Sequence, residues 1–424
     1  MNKKNITILL LLITLAINSI MGQNNSLFIG GIAHLGNGKK ISNSVISIVD
    51  GKFDIVADLS KIRIDPEAFD TIYKIYGKHV YPSFIVPNTT LGITEIGQVK
   101  ATHDFDETGK VNPNIRSIIA YNPQSKIVET VITNGVLLAQ VTPNGGLISG
   151  QSSVMYLNGW NWEDAVCRED DGIHLHWPSS YYNTGWWAEQ GETKKNKKYK
   201  KTIKEIHQIF EKSLAYSKGN NLMDLKMESM KGLYNGAKTL YVHANYASDI
   251  SDAIDVCQLY KIKNVVLVGA EDALKVSDKI KENNISIILN RIHRLPKNED
   301  ENIYAPFLQA KQLKELGILY CLSYEGDMEA MGARNLPFTA GTTVAYGLDY
   351  ESAVQSISLN AAKILGVDNT IGSIEKNKEA TFFISEGDAL DIRSNNVTQI
   401  FIKGKSISTD NHQKRLFEKY RKDK

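Results

Sequence analysis

The feature that most constrains this fold is the repeated succession of a short apolar run and an amphipathic stretch, which begins near Tyr81. Amphipathic segments such as residues 249–262 and 271–284 separate the runs. Buried parallel strands are almost continuously apolar because helices cover both faces of the sheet. The pattern therefore predicts a parallel α/β domain with strands in TLYVHAN (239–245), NVVLVGA (264–270), ISIILN (285–290) and GILYCLSYEGD (317–327).

Short β-rich segments lie at both ends of the chain. Those in residues 25–57 are separated by GNG at 36–38 and DG at 50–51. Asn-Gly and Asp-Gly favour tight hairpin turns because glycine accepts a positive φ. Further β-rich segments follow the α/β region, at 379–387 and 397–408. We expect the two ends to form one small β domain together.

The N-terminus is typical of an export signal. Lys3 and Lys4 precede an apolar run, Ile6–Ile17, and small residues follow near Gly22. This run is shorter than the ~20 residues of a membrane span. The sequence predicts a signal peptide at residues 1–22, loss of Leu9–Ala16 on maturation, and a periplasmic or secreted protein without a membrane span. An uncleaved anchor is the alternative.

Charge and cysteine content exclude several classes of protein. The net charge of +2 gives no basic field for nucleic acid. Cys167, Cys257 and Cys321 are far apart and indicate neither a disulfide framework nor a CxxC metal site. The basic run at 194–204 indicates a solvated loop and helix start, with an acidic partner or a membrane surface as the alternative.

Two segments resemble the amidohydrolase superfamily in its imidazolonepropionase-like branch. GKHVYPSFIVPNTTLG (77–92) is similar to the family's first barrel strand. NAAKILGVDNTIGSIEKNKEATFFI (360–384) is similar to its exit from barrel to sheet. The resemblance implies a distorted (β/α)₈ TIM-like barrel at 82–367. It also implies a small β-sandwich domain formed by both termini, at 23–81 and 368–424.

The same resemblance implies a divalent metal, but the first-strand motif differs. The family's Asp and two metal-binding His fall on Val86, Asn88 and Thr90. Amide and hydroxyl oxygens bind Zn²⁺ more weakly than imidazole does. The remaining metal candidates are His243 and Asp327, and Asp327 is also the candidate general base. The expected cofactor is thus one divalent metal, with Zn²⁺ preferred, or none.

Other residues are candidates for the site. His174 and His176 form an HxH pair in a Trp-rich region, and three roles stay open for them: metal binding, substrate contact or loop packing. Arg294 and Arg334 follow predicted strands and could hold a substrate carboxylate or brace a loop. The loop at 140–153, rich in glycine, is either a substrate loop or a structural turn.

Two functional classes follow. The first is an exported hydrolase of a C–N bond in a small amide or peptide-like substrate, with a depleted metal centre and with Asn88 and Thr90 as substrate-binding groups. The second is an inactive homologue that acts as a binding or assembly subunit. Such a subunit would form a homo-oligomer or pair with an intact homologue.

Overall fold

The computed structural model describes residues 25–186, 189–219, 222–297, 300–326 and 328–421. The predicted export signal at residues 1–22 lies outside this part of the chain and stays a prediction. Within the described ranges, no helix combines the length and the apolar composition needed to cross a bilayer.

The described residues form strands β1–β18, two long sheets and one hairpin. The strands are β1 Ser26–His34, β2 Lys40–Val49, β3 Lys52–Asp58, β4 Thr71–Lys74, β5 His79–Pro82, β6 Phe84–Thr89, β7 Val136–Val141, β8 Ile148–Tyr156, β9 Val166–His176, β10 Tyr181–Trp186, β11 Glu189–Lys195, β12 Thr239–Ala244, β13 Asn264–Gly269, β14 Ser286–Leu289, β15 Tyr320–Leu322, β16 Phe382–Ser385, β17 Val397–Ile402 and β18 Lys405–Ile407.

Helices α1–α13 lie mainly between the barrel strands. They are α1 Lys126–Ile132, α2 Trp162–Ala165, α3 Tyr199–Lys218, α4 Leu225–Met230, α5 Gly232–Asn235, α6 Ala247–Leu259, α7 Ser277–Glu282, α8 Ala305–Glu315, α9 Glu329–Gly332, α10 Leu336–Ala345, α11 Tyr350–Ser356, α12 Leu359–Ile364 and α13 His412–Tyr420. Short 3₁₀ turns occur at Leu59–Lys61, Pro66–Ala68, Lys100–Thr102, Ser117–Ala120, Ala273–Val276 and Ala333–Asn335.

The two ends of the chain share one sheet, as the sequence predicted. Its order is β18-β17-β16-β5-β1-β2-β3, with β4 also paired to β1. The junction is the antiparallel pair of β5 and β16. Phe28, Phe382 and Phe401 pack in its core with ring centroids about 5 Å apart. The expected sandwich is thus one continuous sheet, and the proposed domain boundaries stay a prediction.

The second sheet is a nearly closed eight-stranded barrel, in the order β15-β14-β13-β12-β9-β8-β7-β6. β8 runs antiparallel to both β7 and β9, whereas the other neighbouring pairs are parallel. Beside the gap between β15 and β6, Ser323 Oγ donates to the Pro87 carbonyl at 3.0 Å. The barrel is therefore distorted by an inverted third strand.

A close approach at Gly135 joins the barrel to the terminal sheet. Gly135 precedes β7 with a φ of +86°, and an added Cβ would lie 2.4 Å from the Phe383 ring. Gly317 precedes β15 with a φ of +72° and has nothing within 4 Å of such a Cβ. The two glycines share the same backbone requirement but differ in packing.

We expect Gly135→Ala to destabilise the protein more than Gly317→Ala. Both variants place Ala in the left-handed region, at a cost of about 1 kcal/mol. Gly135→Ala adds overpacking against Phe383, which costs about 1–3 kcal/mol more. Urea unfolding of both variants measures the difference, and equal losses would contradict the close packing at Gly135.

Candidate functional site

The first barrel strand ends in a bulge that turns three polar residues towards the barrel mouth. In β6, Asn88 has a φ of 51°, and the pairing with β7 shifts register between Val86 and Thr89. Val86 stays buried in the core, while Asn88, Thr89 and Thr90 line a small cavity. Simple strand alternation would have placed Thr89 on the opposite face from its neighbours.

The cavity has a volume of about 40 Å³, and nine of its ten described lining residues have polar side chains. His176 from the end of β9 and His243 from β12 form one side of it. Glu325 and Glu329, which follow β15, form another side. The loop between β7 and β8 contributes Thr142, Pro143 and Asn144. Residues of distant strands therefore meet at one point, as expected at the mouth of a barrel.

Three histidines form a cluster at and below the cavity. His174 Nδ1 lies 2.9 Å from His243 Nε2, and the rings of His176 and His243 stack with centroids 4.2 Å apart. Burial lowers the pKa of His174 and His243 well below the usual value and that of His176 to about 4. All three imidazoles are therefore neutral at neutral pH.

A buried carboxylate supports this cluster from below. Asp171 accepts hydrogen bonds from Ser152 Oγ at 2.7 Å, Gln140 Nε2 at 2.8 Å and Tyr241 Oη at 2.6 Å. Asp171 is fully buried, and burial raises its pKa. Because three donors converge on this carboxyl group, its oxygens act as acceptors. We call Asp171, Ser152, His174 and His243 the buried relay.

The relay fixes the tautomers of its two imidazoles. The Ser152 hydroxyl donates its only hydrogen bond to Asp171. Its oxygen therefore accepts a hydrogen bond from His174 Nε2–H at 2.9 Å. Neutral His174 then has a bare Nδ1, which accepts from His243 Nε2–H. His243 is left with Nδ1 as its unprotonated nitrogen. The hydrogen-bond chain thus sets which His243 nitrogen can accept a proton.

The two glutamates of the cavity differ in their hydrogen bonding. Glu329 accepts from the Thr90 N–H and the Thr89 hydroxyl, both at 2.7 Å, and from the Thr90 hydroxyl. Glu325 has a buried Oε2 with no hydrogen-bond partner among the described residues. Burial, with the nearby Glu329 and Glu271, raises the pKa of Glu325 to about 7. Glu325 can therefore both take and release a proton near neutral pH.

The sequence comparison places this site in a family. The profile of the Amidohydrolase family matches residues 192–407, just over half of the chain. The chain belongs to the amidohydrolase family. No curated protein matches it by sequence.

Solved amidohydrolase structures share the fold. An amidohydrolase from Thermotoga maritima MSB8 superposes with a TM-score of 0.77 and 22% identity, over 90% of this chain and 99% of that one. A Xaa-Pro dipeptidase with bound methionine has a TM-score of 0.56, 13% identity and coverages of 90% and 99%. Molinate hydrolase has a TM-score of 0.53, 12% identity and coverages of 91% and 95%. At these identities the neighbours establish the fold alone.

The described residues of this amidohydrolase do not fit an ordinary zinc centre. His174 and His243 form a hydrogen bond with each other instead of pointing at a shared metal position. The Thr90 hydroxyl donates a hydrogen bond to Glu329. In the described ranges, no group of three or more His, Cys, Asp or Glu side chains is arranged to hold a metal. Asp327 lies outside those ranges, so metal binding by His243 and Asp327, and the general-base role of Asp327, stay predictions.

The structure also locates the remaining candidates of this amidohydrolase. His174 lies in β9 and is fully buried behind the cavity, and the roles left open for it stay predictions. Arg294 Nε lies 3.6 Å from Glu271 Oε1, which corresponds to the loop-bracing alternative. Arg334 lies in a 3₁₀ turn, where its carbonyl accepts from Asn134 Nδ2 at 2.9 Å. Neither arginine lines the cavity, and their substrate contacts stay predictions.

Sequence reasoning missed Glu325, Glu329 and Asp171. The available signal was the acidic segment YEGDMEAMG at 324–332, which follows the last barrel strand and holds three carboxylates. The resemblance directed attention to Asp327 among them. For Asp171, the signal was its position directly before an apolar strand, in DDGIHLH at 170–176, where a buried acidic side chain needs a partner.

Proposed function

We propose that this protein hydrolyses an amide-type C–N bond of a small molecule at the cavity, with Glu325 moving the proton. The family relation supports amide-bond hydrolysis as the reaction class. The observation that carries the assignment to Glu325 is its buried, unpartnered oxygen together with a pKa of about 7. A general base is most effective when its pKa lies near the working pH.

The size of the cavity suits a water molecule. A volume of about 40 Å³ exceeds the roughly 10–15 Å³ that a cavity needs in order to hold one water molecule. In its ionised form, Glu325 takes a proton from this water, whose oxygen bonds to the amide carbon. The C=O π electrons move to the carbonyl oxygen. Those electrons then re-form the C=O bond as the C–N bond breaks, and Glu325 gives its proton to the leaving nitrogen, which yields a carboxylic acid and an amine.

Two neutral groups can stabilise the negative charge that develops on the carbonyl oxygen. Asn88 lines the cavity and carries an amide donor. His176 Nε2 is buried without a partner in the described part of the chain, so its N–H tautomer can donate. The role of Asn88 fits its position, where a polar side chain stands in place of a first-strand metal ligand of the family.

The rate of amide hydrolysis should rise with pH up to about pH 7. Glu325 must be ionised to accept a proton, so kcat/KM falls about tenfold per pH unit below its pKa. The measurement is amine release from a panel of neutral N-acyl amides by the purified protein, from about pH 5 to about pH 9. It gives kcat/KM as a function of pH. A profile without a limb near pH 7 would contradict the assignment to Glu325.

Metal analysis of the same preparation is the control. We propose that the protein holds less divalent metal than a full binuclear centre. A full, tightly held centre would assign the activation of water to metal instead of Glu325.

A second candidate is a non-catalytic binding or assembly subunit. The first-strand motif of the family is replaced here by Val86, Asn88 and Thr90, which favours this candidate. A barrel keeps its fold when the catalytic residues at its mouth are lost. No amine release across the panel would support this candidate. Sedimentation of the purified chain then tests for a homo-oligomer.

A further inference from the structure

An apolar groove adjoins the cavity and shares part of its wall. The groove has a volume of about 570 Å³, within the range of roughly 300–1,000 Å³ for ligand pockets. Thr90, Asn144 and Glu329 line both the groove and the cavity. A ligand in the groove therefore reaches the wall of the cavity where the reaction is proposed.

The side chains of the groove are mainly apolar. The segment after β6 supplies Ile96 and Phe105, and the segment that leads into α9 supplies Met328 and Met331. Ile96 and Met328 are strongly exposed at its rim. The ring of His103 stacks on Phe105 with centroids 5.0 Å apart, which gives the groove a flat aromatic wall. Such walls suit aromatic or aliphatic groups.

The charges of the groove exclude one class of ligand. Glu95 and Glu329 line it, and no Lys or Arg does so among the residues that the structure describes. A ligand carboxylate would lie near these carboxyl groups with no cation to pair with, which is unfavourable when partly desolvated. A neutral amide has no such repulsion.

We infer that the groove binds the apolar acyl or aryl part of a neutral amide and discriminates against substrates with a free carboxylate. This inference rests on the proposed function, since it names the substrate class of the same site. The groove supplies binding energy, and the cavity of about 40 Å³ holds only the reacting water and carbonyl group.

The test compares two probes that differ in one group. N-Benzoyl-phenylalaninamide is neutral, and N-benzoyl-phenylalanine carries a carboxylate. Calorimetric titration of the native protein should give a Kd for the amide about tenfold lower than for the acid. Methyl resonances of ¹³C-labelled Met328 and Met331 should shift with the amide, which locates the binding in the groove.

Two matched variants test the charge argument. Ile96 and Ile119 are 55% and 58% exposed, and only Ile96 lines the groove. Ile96→Lys should abolish the preference for the amide because it adds a cation beside the ligand, whereas Ile119→Lys should behave as the native protein. The inference is overturned if neither probe binds, if the native protein binds the acid as tightly, or if both variants change the ratio equally.

The same titrations separate this inference from the proposed function. The amide is titrated into native protein and into Glu325→Gln, and amine release is followed in parallel. Binding to both proteins without amine release by the native protein supports the groove and overturns the proposed hydrolysis. Hydrolysis of amides that do not shift the Met328 and Met331 resonances overturns the groove and supports the hydrolysis.

Discussion

Glu325→Gln should lower kcat for amide hydrolysis by about 10²–10⁴-fold, the usual contribution of a positioned general base. Glutamine keeps the shape of the side chain but cannot take a proton from water. The carboxyl group of Glu325 has a pKa of about 7 and a buried oxygen without a partner in the described chain. The measurement is single-turnover amine release by native and variant protein at equal enzyme concentration.

Asp327→Asn and Glu315→Gln are the comparisons for this variant. Glu315 is exposed at the end of α8 and lies 3.8 Å from Lys311 Nζ, away from the cavity and the groove, so its loss should leave kcat nearly unchanged. A full loss in Asp327→Asn with normal turnover in Glu325→Gln would instead support the general base that the family resemblance implies.

Glu325→Gln should also be more stable than the native protein at alkaline pH. The folded-state pKa of about 7 lies above the ordinary glutamate value of 4.5, so the folded protein holds this proton more tightly. Stability is therefore lost as pH rises between these values, by about 3 kcal/mol in total. If Glu325→Gln is inactive but has a higher Tm than the native protein at about pH 8, the variant has lost a catalytic group and has kept its fold.

Asp171→Ala should lower the free energy of unfolding by about 3–5 kcal/mol. Its removal leaves three buried donors, on Tyr241, Ser152 and Gln140, without their acceptor. Each unsatisfied buried group costs about 1–3 kcal/mol, partly offset by local rearrangement. Urea unfolding measures the loss.

Asp252→Ala is the matched control. Asp252 is exposed and accepts from the Tyr199 hydroxyl at 2.7 Å, so water can replace it and the expected loss is below about 1 kcal/mol. Equal losses in the two variants would contradict the buried network around Asp171.

Asp171→Ala also tests the tautomers of the two histidines in the buried relay. Without Asp171, the Ser152 hydroxyl is free to donate to His174 Nε2, which reverses the hydrogen bonds along the relay. The ¹H–¹⁵N coupling patterns of labelled histidine should then show His174 changing from the Nε2–H to the Nδ1–H form. Unchanged patterns would mean that the tautomers are set by another group.

Much of the fold followed from the sequence because its strands are strongly patterned. The run at 239–245 became β12 and the run at 264–270 became β13, with ends within one residue. The turn at Asp50-Gly51 joins β2 to β3, and both residues have positive φ. Buried parallel strands and tight turns are determined by local chemistry, so they are visible without a structure.

The inversion of β8 was not predicted, because apolar patterning does not encode strand direction. The signal was the connection between β7 and β8, residues 142–147, which is too short for the crossover of a dozen or more residues between parallel strands.

The site was only partly predictable for a related reason. Asn88, Thr90, His176 and His243 line the cavity, and the roles predicted for them stay predictions. Which carboxylates of 324–332 reach the cavity depends on the loop backbone, where Gly326 and Met328 both have positive φ. That conformation is set by tertiary packing, so residue type and spacing alone did not point to Glu325 and Glu329.

The inverted strand has a consequence for how such a chain can diversify. Because β7, β8 and β9 are joined by short connections, Gln140, Ser152, Asp171 and His174 all lie within the contiguous stretch 136–176. Recombination that exchanges this stretch as a block would transfer three quarters of the buried relay at once. These three members of the relay can thus be inherited as a module, independently of the segment after β15 that carries Glu325.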